Sequence, residues 1–525
     1  MAQALPPRPS LEHLKNQAKQ LLRAALSSDS LALQRLQAVG IDTSRRLRLA
    51  DAQYAIANEY GYVRWSDLKQ AVDDIIFSQQ AQHEQIEALI QHALNDRLVR
   101  ADRLQQRYPE LGQANIFVAA AVGNRDAVEQ FIRQRPQAVN EPGGPLNGPP
   151  LVYACASHYA KSDSSREQEM RAIVGYLLAH GADPNSSWHN AQYNCQLSAL
   201  YGACGINDNA SIAELLLKAG ATPNDNESLY HSVEHHSAAC TELLLRYDAK
   251  ISGTNAVHHA LACDNIRALS LFLDHGVDIN ERIHAQQSMT LLQWAIECGQ
   301  SREVLEMLIA RGADLRATSR DGVSAFRRAI HHGHRAAVEL LTEHGVAESL
   351  SQHEELIAAC MAGETPRAKQ ILDSKLPLGG DLLTSGHGLL TAAAWRGQLA
   401  AVRTMLEIGF DIASTDQRRA TALHAAAWQG HADVVELLLE HDPPLDGHDS
   451  EFDCTPLEWA LHGSKHCHRT WPANAPRDRD SSYVAITRAL VRAGSPPPIA
   501  RITEMTEGGV REVLADAELV SELDD

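Results

Sequence analysis

Thr421-Ala422-Leu423-His424-Ala425-Ala426-Ala427-Trp428-Gln429-Gly430-His431, continued by Val434-Val435-Glu436-Leu437-Leu438-Leu439, reads as a turn, a short helix, a glycine stop and a second helix with an aliphatic stripe. A threonine hydroxyl at the start satisfies amides that have no partner within the helix, and a glycine at the end accepts the left-handed conformation that closes one. One such unit cannot bury both of its apolar faces, but stacked copies bury them against each other. Degenerate copies recur about a dozen times along the chain. The expected fold class is therefore all-α, a solenoid of helix-turn-helix repeats.

The plainest copies run from Leu200 to Ala221, Val257 to Val277, Leu292 to Ala313, Phe326 to Val346, Leu390 to Phe410 and Leu423 to Leu445. Glycines that can end a helix recur at Gly181, Gly220, Gly276, Gly312, Gly345 and Gly409. Before Glu84 the pattern differs. Ser10 is placed to cap a helix with Leu11, Leu14, Ala18, Leu21, Leu22 and Ala25 on one face. A second short helix holds Leu31, Leu33 and Leu36, and a third runs from Leu47 to Glu59 and stops at Gly61. Residues 1–80 are expected to cap the first repeat, and 497–525 to form a second cap with an acidic end. Two polar insertions, between Tyr153 and Val174 and between Leu461 and Val484, are expected to be loops.

The Leu-His-x-Ala-Ala-x-x-Gly-His core at Leu423 to His431 and the Gly-Ala-Asp endings at Gly181 to Asp183 and Gly312 to Asp314 resemble the ankyrin repeat. The resemblance extends over residues 84–496 and implies an ankyrin-type solenoid of about eleven or twelve repeats. Residues 8–70, from Arg8-Pro9-Ser10-Leu11 to Trp65-Ser66-Asp67-Leu68-Lys69, look like the helical leader of some bacterial ankyrin proteins. The resemblance also implies that the two residues before each first-helix glycine face a concave groove used for a protein partner. Those pairs include His331/His332, Trp395/Arg396, Trp428/Gln429 and His462/Gly463.

Two tryptophans in successive copies are costly to leave in water unless they bind something or cover a neighbouring helix as ordinary packing. Trp395, Arg396, Trp428, Gln429, His331 and His332 are therefore the candidate partner contacts, with Arg320 and Arg418 at the hairpin tips of the same groove. A second column, Tyr153, His259, Trp294 and Trp459, reads as packing. Cys155, Cys204 and Cys360 replace alanine at a small-residue position and read as packing too.

The 525 residues carry 47 Lys+Arg against 66 Asp+Glu, for a net charge of -19. Residues 1–75 hold 10 Lys+Arg and 8 Asp+Glu, so the excess acid, -21, belongs to the array. Such a surface repels nucleic acid and anionic membrane, and favours a basic or neutral protein partner. No stretch approaches the roughly 18 apolar residues of a membrane span. Nine cysteines without paired spacing suit a reducing cytoplasm, and a monomer is expected.

No nucleophile elbow, phosphate loop or zinc-protease helix is present, so no enzyme activity and no cofactor are expected. The alternative is a metal-dependent enzyme or sensor. His462, His466 and His468 are its weak candidate ligands, since His462 and His466 would share a helix face. Gly463 and Ser464 argue instead for a loop there.

Overall fold

The computed structural model describes residues 3–45, 47–161, 164–191, 194–235, 237–282, 288–374, 388–467, 479–495 and 510, excepting the side chains of residues 465, 466, 479 and 480. It divides into two compact units. One comprises residues 1–79, 329–338 and 347–525, and the other residues 80–328 and 339–346.

In the first unit the leader folds as expected. Ser10 accepts from the His13 amide at 3.2 Å, and Leu14, Ala18, Leu21, Leu22 and Ala25 are buried along Leu11–Leu26. Helices Ser30–Ala38 and Leu49–Glu59 follow, then Trp65–Gln79, which the sequence pattern did not announce as a helix. Leu31, expected on an apolar face, is 69% exposed.

The same unit contains helix pairs Gln352–Met361 with Thr365–Asp373, Leu389–Trp395 with Leu399–Glu407, Ala422–Gln429 with Ala432–Leu439, and Pro456–His466 with Arg479–Arg492. One continuous core joins them, including Leu390, Val402, Leu423, Leu438, Leu457, Ile486 and Leu490. Each such fully buried aliphatic side chain contributes about 1.5–3 kcal/mol.

The opening stretch follows its expected design. Thr421 caps Ala422–Gln429, and Gly430 ends it with φ 79°. His424 ties its turn to the next finger. Its Nδ1 lies 2.8 Å from the Thr421 hydroxyl and its Nε2 lies 3.1 Å from the carbonyls of Gly447 and Cys454. His431 bonds the preceding repeat through Nε2 to the Trp395 carbonyl at 3.1 Å.

In the second unit the repeats run through pairs such as Ile116–Val122 with Arg125–Gln134 and Leu291–Glu297 with Arg302–Ala310. Two features there lay outside the sequence reading. The finger of one repeat is a short antiparallel hairpin, Ser187–Asn190 paired with Cys195–Ser198, which buries Trp188. The helix after it widens to π geometry over Gly202–Ile206. Gly202 explains the close approach, because a Cβ there would lie 2.8 Å from the Cys155 carbonyl carbon. Asn207 then satisfies the loosened helix ends by donating to the carbonyls of Cys155, Ser157 and Gly202 at 2.8, 3.0 and 3.1 Å.

One expectation is corrected outright. Gly463 and Ser464 lie within the helix Pro456–His466 rather than in a loop. Gly463 is buried against the Trp428 backbone, with its virtual Cβ 3.1 Å from the Trp428 Cα, so the glycine serves close helix packing. Ser464 turns its hydroxyl onto the Leu461 carbonyl at 2.7 Å. The expected second cap, 497–525, lies outside the described residues except at Val510.

Candidate partner-binding site

Trp395 closes the helix Leu389–Trp395, Trp428 lies near the end of Ala422–Gln429, and Trp459 lies inside Pro456–His466. Trp459 is only 2% exposed, and its indole N–H donates to Asp449 Oδ2 at 2.9 Å. The same carboxylate accepts from the amides of Glu451, Phe452 and Cys454 at 2.8, 2.7 and 3.0 Å. Burial alone would raise the Asp449 pKa, but these donors hold it below the usual carboxylate range. Asp449 thus binds the finger 446–453 to the helix that carries Trp459.

Around Trp459 a ladder of rings and cations crosses three successive repeats. Trp428 meets it edge-on, with centroids 5.6 Å apart, and stacks on His462 at 5.5 Å. The Arg418 guanidinium lies 5.4 Å from the Trp395 ring and 5.6 Å from the Trp459 ring. Asp416 at 3.0 Å and Glu451 at 4.0 Å hold that guanidinium. Trp395 and Trp428 are half-buried, and His462 is exposed. Phe452, 51% exposed, adds an edge contact to Trp459 at 6.3 Å. Edge-on ring pairs of this kind contribute about 0.5–1.5 kcal/mol beyond burial, so the ladder is a rigid platform.

Of the expected contacts, Trp395, Trp428 and Arg418 come together here. Arg396 is half-buried and donates to His332 Nδ1 and, at 3.1 Å, to the Ala392 carbonyl. His331 is half-buried on the same unit. Arg320 is exposed on the other unit. Gln429 is a correction. It is 1% exposed, and its amide oxygen accepts from the Cys467 thiol at 3.2 Å. Successive helical residues diverge by about 100°, so with Trp428 in the ladder Gln429 points into the stack.

The sequence reading missed Phe452 as part of this surface and Asp449 as its organiser, whereas His462, of the groove pair His462/Gly463, stacks on Trp428. The isolated aromatic in Glu451-Phe452-Asp453 was the available signal. Trp459, expected as packing, is buried packing. His462 is engaged with Trp428, whereas the His466 side chain and His468 lie outside the described residues. Among the described residues no group of three or more His, Cys, Asp or Glu could hold a metal ion.

The second unit contains a Cys–His–Glu grouping whose environment argues against an activated thiolate. Glu234 Oε1 accepts from His231 at 2.9 Å and His259 at 3.1 Å. Burial would raise the Glu234 pKa, but the two imidazoles bring it down to about 2. Cys263 Sγ lies 3.9 and 3.7 Å from the two nitrogens of His259. Burial and Glu234 push that thiol up to about 12, the opposite of activation. Burial likewise raises Cys155 and Cys360, and a hydrogen bond with Cys240 together with burial raises Cys204, in keeping with packing roles.

Two buried histidines make the unit acid-sensitive. Neither ring nitrogen of His258 has a hydrogen-bond partner, and burial lowers its pKa to about 4. His92 falls to about 4 through burial and the nearby Arg100 and Arg97. Both pKa values are depressed below 6.5, so the unfolded chain binds more protons between pH 6.5 and 4. The stability each contributes is complete above pH 6.5 and falls by up to about 3 kcal/mol by pH 4. Urea midpoints at pH 7 and pH 4.5 check this; the midpoint should fall, and the fall should shrink in His258→Leu.

A model of ankyrin repeats matches residues 200–283, 229–319 and 389–470. The chain carries ankyrin repeats. Its repeats resemble those of curated relatives over limited lengths. They are 30% identical to the mitochondrial disaggregase of Bos taurus over 25% of this chain and 21% of that protein. They are 34% identical to the palmitoyltransferase Hip14 of Drosophila melanogaster over 14% of this chain and 12% of that protein. The ankyrin repeat protein nuc-2 of Neurospora crassa is 26% identical over 50% of this chain and 22% of its own length. The match thus spans at most 22% of these relatives, all eukaryotic. The crystal structure of the human ASB11 ankyrin repeat domain is 20% identical, covers 46% of this chain and 98% of its own, and has a TM-score of 0.22, too low to add weight. Ankyrin repeats are protein-interaction modules, and no described helix is long and apolar enough to cross a membrane.

Proposed function

We propose that this chain is a non-catalytic scaffold or regulator that binds a partner protein through the repeats around Trp395, Trp428 and Arg418. The observation that supports this reading is the ladder itself. It presents half-buried tryptophans and an exposed Phe452 on a pre-ordered surface, the composition of an interface hot spot. The half-buried Arg396, His331 and His332 border the proposed contact. A monomer in a reducing cytoplasm fits nine cysteines without paired spacing in the sequence, and the acidic array fits a basic or neutral partner face. In the same proposal residues 1–80 act as the N-terminal cap.

Site-specific crosslinking tests the location. A photoreactive residue at Phe452 should capture the partner in cells. The same residue at Val99, 77% exposed on the other unit, should not. Equal capture from both positions would contradict the assignment.

A further inference from the structure

The most unusual part of the ladder is its cation. Arg418 lies between the Trp395 and Trp459 rings while its side chain remains 41% exposed. Its backbone is secured separately. The Arg418 carbonyl accepts from the Ser450 amide at 2.7 Å and hydroxyl at 2.9 Å, and the Arg418 amide donates to Asp416 at 2.8 Å. Among the described residues the guanidinium is held by Asp416, 19% exposed, which accepts from Nη2 at 3.0 Å and Nε at 3.1 Å, and by Glu451 at 4.0 Å, 49% exposed. The Glu451 pair is wet and long and therefore weak, which leaves Asp416 as the one close anchor of a side chain that is itself 41% exposed. The side chain can leave while the fingertip stays in place.

What it would leave behind is a slot made for a planar cation. Two indoles provide electron-rich rings, and two carboxylates provide acceptors for a guanidinium fork. The finger that carries Glu451 also carries Asp446 and Asp453, both exposed, and the basic His448, and Arg419 follows Arg418 in the chain. We propose that this slot is a subsite for an arginine side chain of the bound partner, occupied in the unbound protein by Arg418 acting as its stand-in. The proposal rests on the partner-binding reading above and specifies what that surface recognises. A tethered occupant competes at an effective concentration of order mM, so wild-type affinity for an isolated arginine is masked.

The test uses the full chain and a defined probe, acetyl-Gly-Arg-Gly-amide, with its citrulline isostere as the uncharged control. Tryptophan fluorescence titration should show Arg418→Ala binding the arginine peptide at least tenfold more tightly than wild type, with no binding of the citrulline peptide. Adding Trp395→Ala should abolish the gain. Because Arg418→Ala could disturb the finger, the wild-type protein supplies a second readout. The Arg418 Nε–H resonance should move toward the position of a solvated arginine as the peptide is added. An unmoved resonance at saturating peptide, no gain in Arg418→Ala, or equal citrulline binding would each overturn the subsite. Such a failure with the partner still captured at position 452 overturns the subsite alone, whereas loss of that specific capture overturns the partner-binding reading.

Discussion

Gly463→Ala should destabilise the C-terminal repeats by about 3 kcal/mol or more, although the same change in an unobstructed helix stabilises by up to about 1 kcal/mol. The reversal of sign follows from position. Gly463 lies inside Pro456–His466, where a methyl group would collide with the Trp428 carbonyl oxygen and approach the Trp428 carbonyl carbon at 3.1 Å. The obstacle is backbone and cannot rotate aside. Relief requires the two helices to separate, which opens the packing around Leu457, Ala460 and Leu461. Gly175 is the matched control. It lies inside Glu167–Ala179, and its virtual Cβ meets only Leu215 Cδ1 at 3.9 Å. Gly175→Ala should be neutral or stabilising. Urea unfolding followed by circular dichroism and tryptophan emission distinguishes the two, and a Gly463→Ala midpoint at or above wild type would refute the packing account.

Asp449→Ala should cost about 3 kcal/mol and dismantle the ladder as well. Removing the carboxylate leaves the Trp459 indole N–H and three finger amides without their acceptor. A buried donor left unsatisfied costs about 1–3 kcal/mol, although a loosened finger will recover part of the total by admitting water. The finger carries Phe452 and Glu451, so its release also frees one of the two carboxylates that hold Arg418. The expected signature is a lower unfolding midpoint with a red-shifted tryptophan emission and a weakened near-UV dichroism in the folded state. Asp449→Asn, which keeps one good acceptor, should lose less. The linkage has a defined sign. The folded pKa of Asp449 is lowered, so its contribution is present above about pH 4 and is lost as pH falls below it. Unaltered tryptophan spectra in Asp449→Ala would remove Asp449 as the organiser.

Much of the fold was legible because the repeat states it in constant letters. Thr421, Gly430 and the Val434 to Leu439 stripe each perform the role that their chemistry and spacing assign, and His424 the one that the resemblance to the ankyrin repeat implies. Trp395 and Trp428 were legible as large apolar side chains at the positions before the glycine, and the structure leaves both half-buried beside the core. The surface was not legible at Gln429. Position relative to the glycine put it beside Trp428, but a rotation of one residue along the helix turned it toward Cys467. Gly463 misled for a related reason. A glycine signals a break when read along the chain, whereas here it marks where a neighbouring backbone comes close. Asp449, Phe452 and Trp459 meet only when a finger folds onto the next helix, so no single-repeat pattern contains their relationship. The π-helical Gly202–Ile206 depends likewise on a contact between repeats.

The most direct test of the central claim is recovery of the partner from native cells with Trp395→Ala/Trp428→Ala beside the wild-type chain, each first shown to be folded by circular dichroism at the capture temperature. If the ladder is the binding surface, the protein identified with wild type and crosslinked at position 452 should fall at least tenfold in the double variant. Undiminished recovery of that protein by the folded double variant would contradict the account.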